Sequence, residues 1–96
     1  MSFAEHVQTV AGDTGKKLFL FTLSTCIWCR KTKGLLQDLG IGYEYVDVDL
    51  LKDDDQDEAY QKMWEYNRST SFPTIVINGG EHVITGYDEE GLKGLK

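Results

Sequence analysis

Two short apolar runs flanking one amphipathic stretch constrain this chain more than any other feature. Lys17–Thr22 reads KLFLFT, nearly continuous in apolar and aromatic residues, the pattern of a buried central strand. Ser24 and Thr25 then precede a segment in which Thr32, Leu35, Leu36 and Leu39 recur at helical spacing and form one apolar stripe. Gly40 stops that helix. Tyr43–Val48, YEYVDV, reads as a second strand. A strand, a helix and a strand in this order imply parallel pairing through a right-handed crossover.

The rest of the chain completes the pattern. Asp53, Asp54 and Asp55 place carboxylates ahead of a helix reaching about Tyr66, where acid complements the helix dipole. Tyr60, Met63 and Trp64 share one face of it and are expected in the core. Thr74–Asn78 and Glu81–Thr85 flank Gly79-Gly80, a hairpin signal. Asp88 opens a short last helix that Gly91 and Gly94 weaken. The expected order is β-α-β-α-β-β-α, an α/β fold with a mixed four-stranded sheet flanked by helices. Residues 1–15 are expected to be a leader or a short helix, and residues 17–95 the core of a single domain spanning 1–96.

Length and charge exclude several function classes. At 96 residues the chain suits one domain. Its net charge of −6 argues against nucleic acid and anionic membrane surfaces, which need clustered cations. No run approaches the roughly 18 apolar residues of a membrane span. Glu5, His6 and Gln8 interrupt the start before any apolar stretch, so no secretory signal is expected and a reducing cytoplasm is the expected compartment.

Cys26 and Cys29 are the only cysteines, in Thr25-Cys26-Ile27-Trp28-Cys29, where the first strand hands over to the helix. A bridge between them would close a very short loop and add little as a staple. Thiol–disulfide exchange, by contrast, needs a thiolate, and an unperturbed thiol, with pKa about 8.5, is only a few per cent ionised at pH 7. Cys26 lies at a helix N-terminus, where free N–H groups and the dipole favour an anion. Arg30, Lys31 and Lys33 follow with no acid between Cys26 and Gln37. Cations there oppose the dipole, a broken local rule of the kind that marks functional sites. Cys26 is therefore expected to be the attacking nucleophile. Cys29 falls on the apolar stripe with Thr32 and Leu36, facing inward, which suits a resolving thiol. Trp28 at the helix tip is placed to rim a substrate groove, or simply to pack.

Other readings of these residues are weaker. Half of a zinc site would need two more ligands, and His6 and His82 are far apart in sequence. Two inert core cysteines would leave the strand-to-helix placement without a use. The acidic stretch from Asp47 to Glu58 lacks the spacing of a calcium loop and reads as a solvated loop and helix start. No metal site is expected.

TCIWC at 25–29, SFPT at 71–74 and TGYDEE at 85–90 together resemble the glutaredoxins and the related glutaredoxin-like redoxins that serve ribonucleotide reductase. The resemblance runs from Lys17 to about Leu95 and implies a thioredoxin-like fold. It implies a redox-active disulfide between Cys26 and Cys29. It also implies a cis peptide bond before Pro73 facing the cysteines, with the backbone of Phe72 free to pair with an extended peptide or with glutathione. Gly86, Tyr87 and Asp88 match the loop that holds the γ-glutamyl end of glutathione, where Asp88 would accept from an ammonium group. The same residue reads equally well as a helix N-cap. Thr25 and Trp28 would line the groove.

Two positions depart from the family. The Lys that many glutaredoxins carry three residues before the first cysteine is Leu23 here, and the Pro after that cysteine is Ile27. The first weakens the case for glutathione, although Arg68 offers a compensating basic contact or else a solvated surface charge. The second opens an alternative: an iron–sulfur carrier in which a cluster bridges two subunits. The preferred reading is a monomeric dithiol reductase of disulfide-bearing client proteins, ribonucleotide reductase being one. It has no tightly bound cofactor. Glutathione, as co-substrate, or a flavin- or ferredoxin-linked disulfide reductase would recycle it, with Leu23 favouring the reductase.

Overall fold

The computed structural model describes residues 3–13, 15–67 and 71–95. Five strands form one sheet: β1 (Gln8–Val10), β2 (Leu18–Thr22), β3 (Tyr43–Asp47), β4 (Thr74–Ile77) and β5 (His82–Thr85), in spatial order β1-β3-β2-β4-β5. Three α-helices cover it: α1 (Ile27–Asp38), α2 (Asp53–Asn67) and α3 (Glu89–Lys93). β2 and β3 run parallel and the other pairs antiparallel, the mixed sheet that the β-α-β opening and the closing hairpin imply.

The continuous apolar runs arise because the central strands are buried on both faces. Leu18 and Leu20 of β2, with Ile75 and Ile77 of β4, face α1 and α3, meeting Leu36 and Leu92. Phe19, Phe21 and Val76 face the other way, toward Ala59 and Met63 of α2. Among the described residues no buried side-chain nitrogen or oxygen lacks a hydrogen-bond partner, as a settled interior requires.

The sheet has five strands where four were expected. Residues 3–6 form a 3-10 turn, but Gln8–Val10 then pair with β3 as an antiparallel edge strand. β1 is mostly exposed and only three residues long, so it carries no apolar pattern; it exists because β3 otherwise presents an open edge of backbone groups. The expected turn at Gly79-Gly80 is a short 3-10 segment, Asn78–Gly80. Asn78 (φ 52°) is also left-handed there, tied to Lys17 by a side-chain oxygen accepting from its N–H at 2.9 Å. The helix after the acidic run starts at Asp53 itself, so the three aspartates form its first turn. On that helix Met63 is buried as expected, whereas Trp64 is exposed.

Candidate functional site

Strand register sets the site. Thr22 pairs with Asp47 across β2 and β3, Phe21 with Thr74 across β2 and β4, and Thr74 with Thr85 across β4 and β5. The ends of β2, β3 and β5 and the start of β4 therefore share one edge of the sheet. From that edge spring the loop to α1, the 71–73 segment and the loop to α3.

Cys26 is the N-cap of α1, in extended backbone (φ −87°, ψ 118°). Its sulfur accepts the backbone N–H of Cys29 at 3.1 Å, the place a Ser or Asp oxygen usually takes. The preceding turn is braced from β3's side: Asp49 accepts the Ser24 N–H at 2.8 Å and the Ser24 hydroxyl at 2.6 Å. Burial alone would raise the Asp49 carboxyl, but those Ser24 bonds outweigh it and, with the nearby charge of Lys33, hold the carboxyl below its ordinary value.

Cys29 lies one turn deeper and is 1% exposed. Burial pushes its thiol from 9.0 up to about 12, reinforced by its hydrogen bond to Cys26 and opposed by a backbone bond from Leu23 and the charge of Lys33. The two sulfurs are thus unequal. Cys26 is half-buried and an acceptor at a helix tip; Cys29 is enclosed and keeps its proton.

The cations that follow Cys26 in the sequence take separate places. Lys31 sits 4.7 Å from the Trp28 ring centroid. Lys33 turns away to Asp47 at 3.4 Å, over the Tyr45 ring at 3.8 Å, because four residues on from Cys29 the helix face points at β3. Arg30 is exposed. The donor that meets the Cys26 sulfur is the backbone N–H of Cys29 at the helix tip.

Trp28 is half-exposed, its ring 5.7 Å from that of Tyr87. That contact joins the tip of α1 to the loop before α3. Gly86, in left-handed backbone (φ 78°) that only glycine adopts without strain, donates its N–H to the Pro73 carbonyl at 2.7 Å. The Phe72–Pro73 bond is cis, in line with the resemblance. Thr25, Trp28, Pro73, Gly86 and Tyr87 thus gather at one edge with the cysteines.

Two of the predicted residues also make structural contacts of their own. The Phe72 ring packs edge-to-face on Tyr60 at 6.1 Å, on the α2 side of the sheet. Asp88 caps α3, accepting the Gly91 N–H at 3.0 Å; a Cβ at Gly91 would stand 2.6 Å from the Asp88 carboxylate, so this glycine makes room for the cap as well as weakening the helix. Arg68 lies outside the described residues.

Sequence reading missed a polar network beneath the dithiol. The Thr22 hydroxyl, fully buried, reaches Asp47 Oδ1 at 2.6 Å, and Asp47 in turn holds Lys33. The signal available was a Thr closing the apolar run of β2 and an Asp closing β3, a match visible only once the strands are set parallel.

A CxxC pair capping the first core helix of a mixed sheet, beside a proline that leads into the next strand, defines a redoxin of thioredoxin-like fold. The chain matches the glutaredoxin family over residues 18–83, and it belongs to that family. It is 30% identical over 76 residues to an uncharacterized glutaredoxin-like 8.6 kDa protein in the rubredoxin operon of Clostridium pasteurianum, covering 79% of this chain and 92% of that one. Among solved structures, the glutaredoxin from Methanosarcina mazei superposes with a TM-score of 0.81 at 41% identity, covering 94% of this chain and 86% of the other. Methanosarcina acetivorans methanoredoxin superposes with a TM-score of 0.75 at 42% identity, covering 81% of each.

Proposed function

We propose that this protein reduces disulfides in client proteins by dithiol exchange, with Cys26 attacking and Cys29 resolving. The supporting observation is the inequality of the two sulfurs: the outer accepts an N–H at the helix tip, while the inner is buried and protonated. The Cys26 thiolate attacks one sulfur of the client disulfide. A mixed disulfide forms, and the other client sulfur leaves with the bonding electron pair and takes a proton. Cys29 then loses its proton and attacks Cys26; the Cys26–Cys29 bond forms and the second client sulfur departs as a thiol. Two electrons have passed to the client.

Electrons return through glutathione or through a flavin- or ferredoxin-linked disulfide reductase. Leu23 removes a contact that a glutathione carboxylate would use, and this favours a reductase. A ribonucleotide reductase fits as a client. The dithiol reading is preferred to an iron–sulfur carrier because the inner thiol is hydrogen-bonded to the outer one and so stands within reach of it once deprotonated.

The test is reduction of insulin disulfides, followed by recycling of the oxidised protein with glutathione, a flavin-dependent thioredoxin reductase and a ferredoxin-linked reductase in parallel. Cys26→Ser should abolish insulin reduction; full activity in that variant would defeat the proposal. The donor that restores free thiols fastest identifies the recycling route.

A further inference from the structure

The partly buried cation one turn beyond Cys29 has no part in the scheme above, and its placement suggests one. We propose that Lys33, clamped between Asp47 and Tyr45 one helical turn beyond Cys29, is a positioning residue that sets how readily the second thiol ionises and so controls the resolving step.

Lys33 follows Cys29 by four residues in α1, which stacks the two on one helix face. Its side chain is only 22% exposed, and that of its carboxylate partner Asp47 18%. Two contacts fix it, Asp47 Oδ1 at 3.4 Å and the Tyr45 ring at 3.8 Å, and Asp47 itself accepts from the buried Thr22 hydroxyl. A flexible lysine immobilised this way is unlike the solvated surface pairs Lys62–Glu65 and Lys93–Glu89, whose charges are screened by water. In a partly buried setting a fixed charge acts more strongly on its neighbours.

The groups acting on Cys29 can be named. Burial and Cys26 favour its neutral thiol; the Leu23 backbone and Lys33 favour the thiolate. Lys33 is the charged side chain on the favourable side, and Asp47 partly neutralises it. Asp49, also under the influence of Lys33, lies beyond and is engaged by Ser24. Arg30 on the same helix is exposed. When Cys29 gives its proton to water or to the departing client thiolate, Lys33 is the cation placed to stabilise the sulfur anion that attacks Cys26.

This inference rests on the dithiol mechanism, so the experiment separates the two. The reduced protein is mixed with 5,5′-dithiobis(2-nitrobenzoate), which releases one coloured thiolate on attack by Cys26 and a second on resolution by Cys29. Lys33→Met should slow the second release about tenfold relative to the first at neutral pH, the size of one unit of displaced ionisation, and should move its pH profile to higher pH. Lys33→Arg should restore most of the rate, and Asp47→Asn, which frees the cation, should speed the second release. An unchanged ratio of the two releases in Lys33→Met, or equal slowing of both with no rescue by Arg, overturns the inference. Should Lys33→Met not fold, Asp47→Asn decides: an unchanged or slower second release overturns it. Cys29→Ser is the control for the mechanism; two prompt releases from that variant would sink the dithiol scheme itself.

Discussion

Trp28 and Tyr87 stand with ring centroids 5.7 Å apart and planes inclined by 30°, and this contact bridges the helix that carries the cysteines to the loop before α3. Both rings are partly open to solvent, and Ile27 beside them is 61% exposed. Together they present an apolar rim next to Cys26. Tyr87→Ala should therefore weaken client docking, raising KM for a protein disulfide several-fold while leaving kcat nearly unchanged. The loss of stability should be about 1 kcal/mol or less, the range of a surface aromatic pair. Steady-state reduction of insulin and urea unfolding would check the two halves of this outcome.

The buried thiol gives the reduced protein a pH dependence with a definite sign. Cys29 titrates near 9.0 when unfolded and about 12 when folded, so the native state binds its proton more tightly. That stability is fully present below pH 9 and is lost as pH rises toward 12, with a slope of at most about 1.4 kcal/mol per pH unit. Tyr43, raised chiefly by burial and also by Tyr45, adds a loss of the same sign above pH 10. The urea midpoint of the reduced protein should fall between pH 8.5 and 10.5, and less steeply in Cys29→Ala. Iodoacetamide at pH 8 should label Cys26 alone, with Cys29 reacting only after unfolding.

How much of this was legible in the sequence depends on whether the signal is local. β2, α1 and β3 could be read because each writes its burial into its own residues: Leu18 to Phe21 without a break, and Thr32, Leu36 and Cys29 along one stripe. The pairing of Cys26 outside with Cys29 inside followed from that stripe. β1 was not legible, since Gln8-Thr9-Val10 is held by an edge of β3 rather than by a buried face. Nor was the Thr22–Asp47–Lys33 network, which needs the register between two strands separated by a whole helix. The run Asp47 to Glu58 looked uniformly solvated, yet Asp47, Asp49 and Asp55 are each engaged: with Lys33, with Ser24 and with His6 at 3.6 Å.

The face of α2 supplies a stability test. Tyr60, Met63 and Trp64 have the spacing of a common stripe, but only Met63 is fully enclosed, with Ala59 beside it, while Trp64 is 54% exposed. The helix turns its 59–63 line to the sheet and lets position 64 rotate outward. Met63→Ala should cost about 2–5 kcal/mol, the transfer and cavity cost of a core methionine, and Trp64→Ala within about 0.5 kcal/mol, as for a surface position. Thermal or urea unfolding of the two variants, made side by side, would distinguish this arrangement from one in which both residues are core.

Ser24 and Asp49 make the last prediction, because they hold the turn that presents Cys26. The Asp49 carboxylate accepts both donors of Ser24, and those bonds keep it ionised to lower pH than an ordinary aspartate despite the opposing pull of burial. A carboxyl lowered in the folded state contributes stability above its unfolded value of 3.8, and loses it as pH falls through the lower folded value. Ser24→Ala removes the hydroxyl but not the backbone bond, so the expected loss at pH 7 is below about 1 kcal/mol for this solvent-exposed pair. As pH falls through the lowered folded value the carboxyl is neutralised, and the urea midpoints of wild type and variant should converge. A looser turn also lets the Cys26 backbone depart from the N-cap geometry, so Ser24→Ala should slow the first coloured release from the aromatic disulfide and spare the second. Equal stability at pH 7 together with an unchanged first release would show that Asp49 braces nothing.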